Sequence, residues 1–144
     1  NPNAAPTDFM KRAEIYINKA KKDPAKKVEN IEKAIGVYAK LAEKYPTLKP
    51  FAKLQEGNTA FQNELDDKAI LAYEDVIKDL EAKQCDEDEL SYLKQAYQYM
   101  GFIYTYDKQD FDTAKPYFDK LLKLDPNNKI AKDAFEKAGI QPGA

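Results

Sequence analysis

Few residue types in this chain could do chemistry, and their spacing points to contact rather than catalysis. The 144 residues contain no histidine, which removes the usual general base, the usual imidazole ligand for zinc and any Ser-His or Cys-His nucleophile pair. Cys85 is the lone cysteine, so neither an intramolecular disulfide nor a CxxC redox or metal motif can form. Asp86, Glu87, Asp88 and Glu89 are the one dense carboxylate cluster. They lack the alternation and turning glycine of a calcium loop, and charge compensation at a helix N-terminus explains them more simply. The five glycines stand apart at 36, 57, 101, 139 and 143, so no glycine-rich phosphate loop exists. No catalytic, cofactor-binding or metal-ligating residue is assigned, and no cofactor is expected.

What remains is aromatic contact surface. Tyr99, Phe102 and Tyr106 recur at i, i+3 and i+7, one face of a helix. Tyr97, Met100, Gly101 and Tyr104 share another face of the same segment and suffice for packing. A second aromatic face needs its own partner, which is either a ligand, a neighbouring helix or a missing domain. Tyrosine suits a contact role because it buries a rigid ring and keeps a polar tip.

These residues must be positioned by helices. Charged residues make up 33% and hydrophobic ones 43% of a chain with net charge −2, the balance of amphipathic helices around a narrow core. That length suits one domain of three helix pairs and a cap. No global basic field draws the chain to nucleic acid, and no stretch approaches the apolar length of a membrane span. The charge is uneven: residues 1–50 hold eleven Lys/Arg against six Asp/Glu, and residues 51–110 hold six against fourteen. Solvated helix faces account for this; a surface that selects partners by charge is the sharper reading. Arg12 is the single arginine, and lysine is a poor bidentate ligand for phosphate.

Turn signals divide the chain into seven helices. Thr7 or Asp8 can cap the first, which runs to about Lys22 and ends at Asp23-Pro24. The second runs from about Ala25 to Lys44, the third from near Pro50 to Asn63, and the fourth from Asp66 to Lys83. Asp86 and Glu89 have capping-box spacing for the fifth, which extends to about Tyr106. The sixth covers Phe111 to Leu124, with Pro116 past its first turn, where a bend or late start should absorb the missing donor. The last runs from Lys129 to Ala138 and stops at Gly139. Its stripe of Ile130, Ala131, Ala134, Phe135 and Ala138, with charges opposite, is what an end cap needs.

Three of the segments repeat one pattern. Tyr97, Met100, Gly101 and Tyr104 precede Ala114, Phe118, Leu121 and Pro126. Gly57, Ala60, Ala69, Tyr73 and Val76 recur upstream, and Ala34, Tyr38, Leu41 and Pro46 repeat the second half alone. Gly101 and Ala114 are small because two antiparallel helices must approach closely there. This order and spacing resembles the tetratricopeptide repeat (TPR) family. Departures are local: Gly101 to Ala114 is one residue longer than Gly57 to Ala69, Lys53 and Glu56 replace large apolar residues, and the first repeat has extra residues between its helices.

The resemblance implies an all-α, right-handed α-solenoid of about three TPR hairpins plus a C-terminal capping helix. One domain, 1–144, would hold repeats at 7–46, 50–83 and 94–128 and a cap at 129–138. Asn1-Pro2-Asn3 is similar to the Asp125-Pro126-Asn127 that closes the third repeat, so the chain reads as the C-terminal part of a longer array or as having an ordinary terminus. The family uses the first helix of each pair to line a concave groove. By position this offers Phe51, Leu54, Gln55, Asn58, Phe61 and Gln62 in repeat two. Repeat three offers Gln95, Gln98, Tyr99, Phe102, Thr105 and Tyr106. Chaperone-binding members hold a peptide's terminal carboxylate with Lys, Asn and Arg. Here Asn58 matches, but Leu54 and Tyr99 occupy two of those positions, so that clamp is not formed. The implied function is non-catalytic protein–protein interaction with a peptide or protein of unknown identity, without nucleic acid or membrane insertion. A structural assembly segment, including a homo-oligomer, and an accessory domain of a larger enzyme are the alternatives. Lys-, Tyr- and Asn-rich usage resembles TPR proteins of AT-rich bacteria, several of them exported to the envelope, which tilts localisation toward the periplasm over the cytoplasm.

Overall fold

The computed structural model describes residues 4–143; Asn1-Pro2-Asn3 and Ala144 lie outside the described residues. Seven α-helices follow one another, and no strand occurs among the described residues. They are α1 (Pro6–Lys22), α2 (Lys27–Lys44), α3 (Lys49–Gln62), α4 (Asp66–Glu81), α5 (Glu87–Phe102), α6 (Phe111–Leu124) and α7 (Lys129–Ala138). The chain forms two compact units, one up to Asp75 and the other from Val76.

In the first unit, α1 and α2 form an antiparallel hairpin whose apolar faces close on each other. Phe9 and Ala13 meet Ala34, Val37, Tyr38 and Leu41, and Ala52 of α3 joins the same cluster. Helix α1 begins earlier than the Thr7 or Asp8 cap expected from sequence. Ala5 is the N-cap, and Asp8 serves from inside the first turn, its carboxylate accepting the Ala5 N–H at 2.9 Å. Asp23 then accepts from Ala25 N–H at 3.2 Å to start the short 3-10 turn Pro24–Lys26. That turn holds the extra residues between the first two helices. Tyr45 closes the hairpin edge-on to Phe9, ring centroids 6.3 Å apart, and its hydroxyl donates to the Ala4 carbonyl at 2.7 Å.

The hairpin contact that called for a small residue is present in both units. A Cβ on Gly57 would stand 2.5 Å from the Tyr73 ring, and a Cβ on Gly101 would stand 2.5 Å from the Phe118 ring. Helix α3 ends in a left-handed residue, Glu64 at φ 62°, and the Leu65 N–H reaches back to the Ala60 carbonyl at 2.9 Å. Lys53 and Glu56, the polar departures on α3, pair with each other at 2.8 Å. Glu56 is 7% exposed, and burial pushes its carboxyl above the ordinary range against the opposing pull of Lys53.

In the second unit α5 opens on the capping box read from sequence. The Glu89 N–H donates to Asp86 at 2.8 Å and the Asp86 N–H to Glu89 at 3.1 Å. At its other end α5 widens into a π turn, Ile103–Asp107. The Lys108 N–H donates to the Ile103 carbonyl at 2.9 Å, five residues back, and Asp110 N–H to Tyr104 at 2.7 Å. Gln109 at φ 53° plays the part that Glu64 plays in the earlier hairpin. Counted from Gly57 and Gly101, Gln109 falls one residue later, so the extra residue of the third repeat is absorbed by the wider turn. The packing face differs from the expected one: Ile103 is fully buried, whereas Tyr104 is half-buried and stacks on Tyr117 at 6.3 Å.

Helix α6 runs through Pro116 unbroken. Pro116 and Asp112, whose carbonyl loses its donor, are both exposed, so water can take the donor's place. Asn128 caps α7, accepting from Ala131 N–H at 3.0 Å, and Gly139 at φ 69° ends it. Ala131, Ala134 and Phe135 are buried, with Phe135 edge-on to Phe111 at 5.3 Å. No helix among the described residues is long and apolar enough to cross a membrane.

Candidate partner-binding surface

The residues proposed to meet a ligand belong to α3 in the first unit and α5 in the second. On α3, Leu54 is 2% exposed and is core; an enclosed side chain has no surface to offer, so it leaves the candidate set. Asn58 is half-buried, and its side-chain oxygen accepts the Tyr73 hydroxyl at 2.7 Å. That bond holds the tip of the ring packed on Gly57, which gives Asn58 a structural task. Phe61 is half-buried and Gln62 exposed.

On α5 the two aromatic faces separate by burial. Tyr97, Met100 and Gly101 are buried, while Gln98, Tyr99, Phe102 and Tyr106 are half-buried. Gln98 accepts from Asn128 Nδ2 at 2.9 Å, tying α5 to the N-terminus of α7. The Phe102 and Tyr106 rings lie 4.8 Å apart at 47°, forming one aromatic surface. Lys137 of α7 sits 5.0 Å above the Tyr106 ring, a cation–π contact the sequence pattern did not reveal.

The buried side of α5 carries a polar anchor. The Tyr97 hydroxyl donates to Glu81 at 2.5 Å, and Lys120 donates to the same oxygen at 2.8 Å. Burial, reinforced by the Glu81 carboxylate, pushes the Tyr97 phenol far above its ordinary value. Burial raises Glu81, but the Lys120 and Tyr97 bonds outweigh it and leave the carboxyl below its usual range.

The residues best suited to reactive chemistry are otherwise engaged. The Cys85 thiol donates to the Leu80 carbonyl at 3.3 Å, and burial together with Glu89 pushes it above the ordinary thiol value, away from the thiolate. Asp86 and Glu89 are consumed by the capping box, and Lys83 pairs with Glu89 at 2.5 Å. Among the described residues no group of three His, Cys, Asp or Glu side chains is placed to hold a metal ion.

Antiparallel helix hairpins, a glycine under an aromatic ring in two successive hairpins and a proline just after α2 and α6 define a helical-hairpin repeat protein. The tetratricopeptide repeat family matches residues 9–47 and 91–128, together more than half of the chain, and the chain belongs to that family. Neither curated proteins nor solved structures gave a match. TPR repeats are generally protein–protein interaction modules, and the fold is a non-catalytic interaction fold.

Proposed function

We propose that this chain binds a peptide or protein segment along the first helices of its hairpins and performs no catalysis. In this reading the repeats at 7–46, 50–83 and 94–128 form the binding array, and α7 closes its end. The observation that carries the proposal is the second aromatic face, on α5 and the π turn that extends it. Tyr99, Phe102 and Tyr106 stay half-buried beside a packing face already completed by Tyr97, Met100 and Gly101. Large half-exposed aromatics held on a rigid helix lose little entropy on binding and commonly contribute about 2 kcal/mol or more each at interface centres.

The test is a comparison of variants. Tyr99→Ala with Phe102→Ala should leave the melting temperature close to that of the parent while partners recovered from the native host's lysate are lost. Tyr97→Ala should instead damage folding, because it empties a buried site and removes one of the two donors on Glu81. If the first pair unfolds the protein as badly as Tyr97→Ala, the aromatics are core and the binding face is refuted. Sedimentation of the purified chain over a concentration series separates this reading from an assembly role, which requires self-association without added ligand.

A further inference from the structure

Thr105, Gln109 and Lys137 line one cavity of the second unit. The cavity has a volume of about 350 Å3 and lies where the π turn faces the C-terminal half of α7. Its apolar walls are Phe111, Ala134 and Ala138, and its polar lining is Thr105, Gln109 and Lys137 beside Tyr106. The Thr105 hydroxyl oxygen is shut off from solvent and has no hydrogen bond. Among the described residues the Gln109 amide has no hydrogen-bond partner and Lys137 no carboxylate, only the π face of Tyr106; both residues are exposed, so each is free to turn to a ligand. Among the described residues no acidic side chain lines the cavity.

This arrangement belongs to the third repeat alone. The preceding hairpin has the same left-handed end, at Glu64, but its first helix closes without a π turn. The inserted residue brings Thr105, Tyr106 and Gln109 to one end of α5, and α7 supplies the cation. The unsatisfied, buried hydroxyl of Thr105 is costly, and π turns recur where a helix is bent to a functional purpose.

We propose that this cavity takes the carboxylate side chain of a glutamate in the bound segment. The proposal rests on the peptide-binding reading above and names a part of its recognition. All three free groups can donate: an ammonium, a primary amide and a hydroxyl. A carboxylate, with about four acceptor sites, is the group that can receive them together. Threonine in a helix divides between two χ1 rotamers, so a rotation turns the Thr105 hydroxyl into the cavity that the residue lines. The walls decide between a side chain and a chain terminus. Phe111, Ala134 and Ala138 offer apolar surface for two methylenes, which a glutamate stem supplies and a terminal carboxylate does not.

The experiment titrates the isotope-labelled chain with three small probes while amide chemical shifts are followed. N-acetyl-glutamate α-amide carries only the side-chain acid, N-acetyl-glutamine α-amide carries none, and N-acetyl-glutamine carries only the terminal acid. The first should produce saturable shifts at Thr105, Tyr106, Gln109 and Lys137, and the other two should not. Lys137→Gln should weaken that binding about tenfold, as removal of a charge-assisted bond does. Thr105→Val should weaken it less, and Lys132→Gln on the same helix should leave it unchanged. No saturable shift, equal binding of the uncharged probe, or preference for the terminal acid each overturns the proposal. Loss of a partner on Tyr99→Ala with Phe102→Ala, alongside failed probes, would leave the binding face standing and remove only this cavity.

Discussion

Adding one methyl group at Gly101 tests the hairpin contact on which the repeat register depends. An ideal Cβ there would lie 2.5, 2.6 and 2.7 Å from three carbons of the Phe118 ring, against 3.4–4 Å for ordinary contact. The ring would have to retreat by about an ångström, and Phe118 is 0% exposed. Overpacking of that kind costs about 1–3 kcal/mol. Alanine returns up to about 1 kcal/mol through its better helix propensity. The net expectation is therefore destabilisation of up to about 2 kcal/mol, roughly 4–8 °C per kcal/mol in a unit of this size. Gly36 supplies the control, because a Cβ there meets nothing within 4 Å. Gly36→Ala should raise the melting temperature of the first unit while Gly101→Ala lowers that of the second, both read by thermal unfolding with circular dichroism. In a Phe118→Leu background the Gly101→Ala penalty should shrink, since neighbours in contact couple by about 0.5–3 kcal/mol. A Gly101→Ala protein stabilised as much as Gly36→Ala would refute the contact and with it the register of the third repeat.

Two further outcomes follow from buried groups. Burial holds the folded-state pKa of Glu56 above its unfolded value, so its contribution to stability is present at acid pH and is lost as pH rises through the folded pKa. Glu56→Gln should accordingly melt no lower than the parent at pH 7 and lose any advantage near pH 4; a large loss at neutral pH would show that the Lys53 pair outweighs desolvation. Phe135→Ala should cost about 3–5 kcal/mol in the second unit, as for other buried aromatics, whereas removal of residues 141–144 should leave thermal unfolding unaltered.

What was legible in the sequence was the part governed by small spacings and strong local chemistry. Gly57 and Gly101 identified the close contacts because nothing larger fits beneath Tyr73 and Phe118. Asp86 and Glu89, and Gly139 after α7, marked helix ends because their side chains or backbone must meet orphan amides and carbonyls. Less legible were features decided by relative helix rotation. Leu54 looked like a groove residue by position, but burial is set by which neighbours close over it. Tyr104 was read as a packing residue, but Ile103, three residues after buried Met100, takes the core position and Tyr104 turns to Tyr117. Lys137, thirty-one residues beyond Tyr106 and on a different helix, had no pattern linking the two. A contact between helices has no period along the chain.

An α-helix is a screw, and one added residue turns everything beyond it by about 100°. Had the third repeat kept a regular first helix, that angle would have been carried into the connection and on to Ala114, swinging α6 out of phase with Gly101. The widened turn instead discharges the rotation within Ile103–Asp107. Phe118 therefore still lands on Gly101 at the distance Tyr73 keeps from Gly57. Positions in the second half of this repeat are thus equivalent to those of its neighbours when numbered from Ala114, and misplaced by a quarter turn when numbered from Gly101. Any graft or consensus redesign of the repeat has to keep the count and the bulge together, since removing either one alone puts the screw out of step.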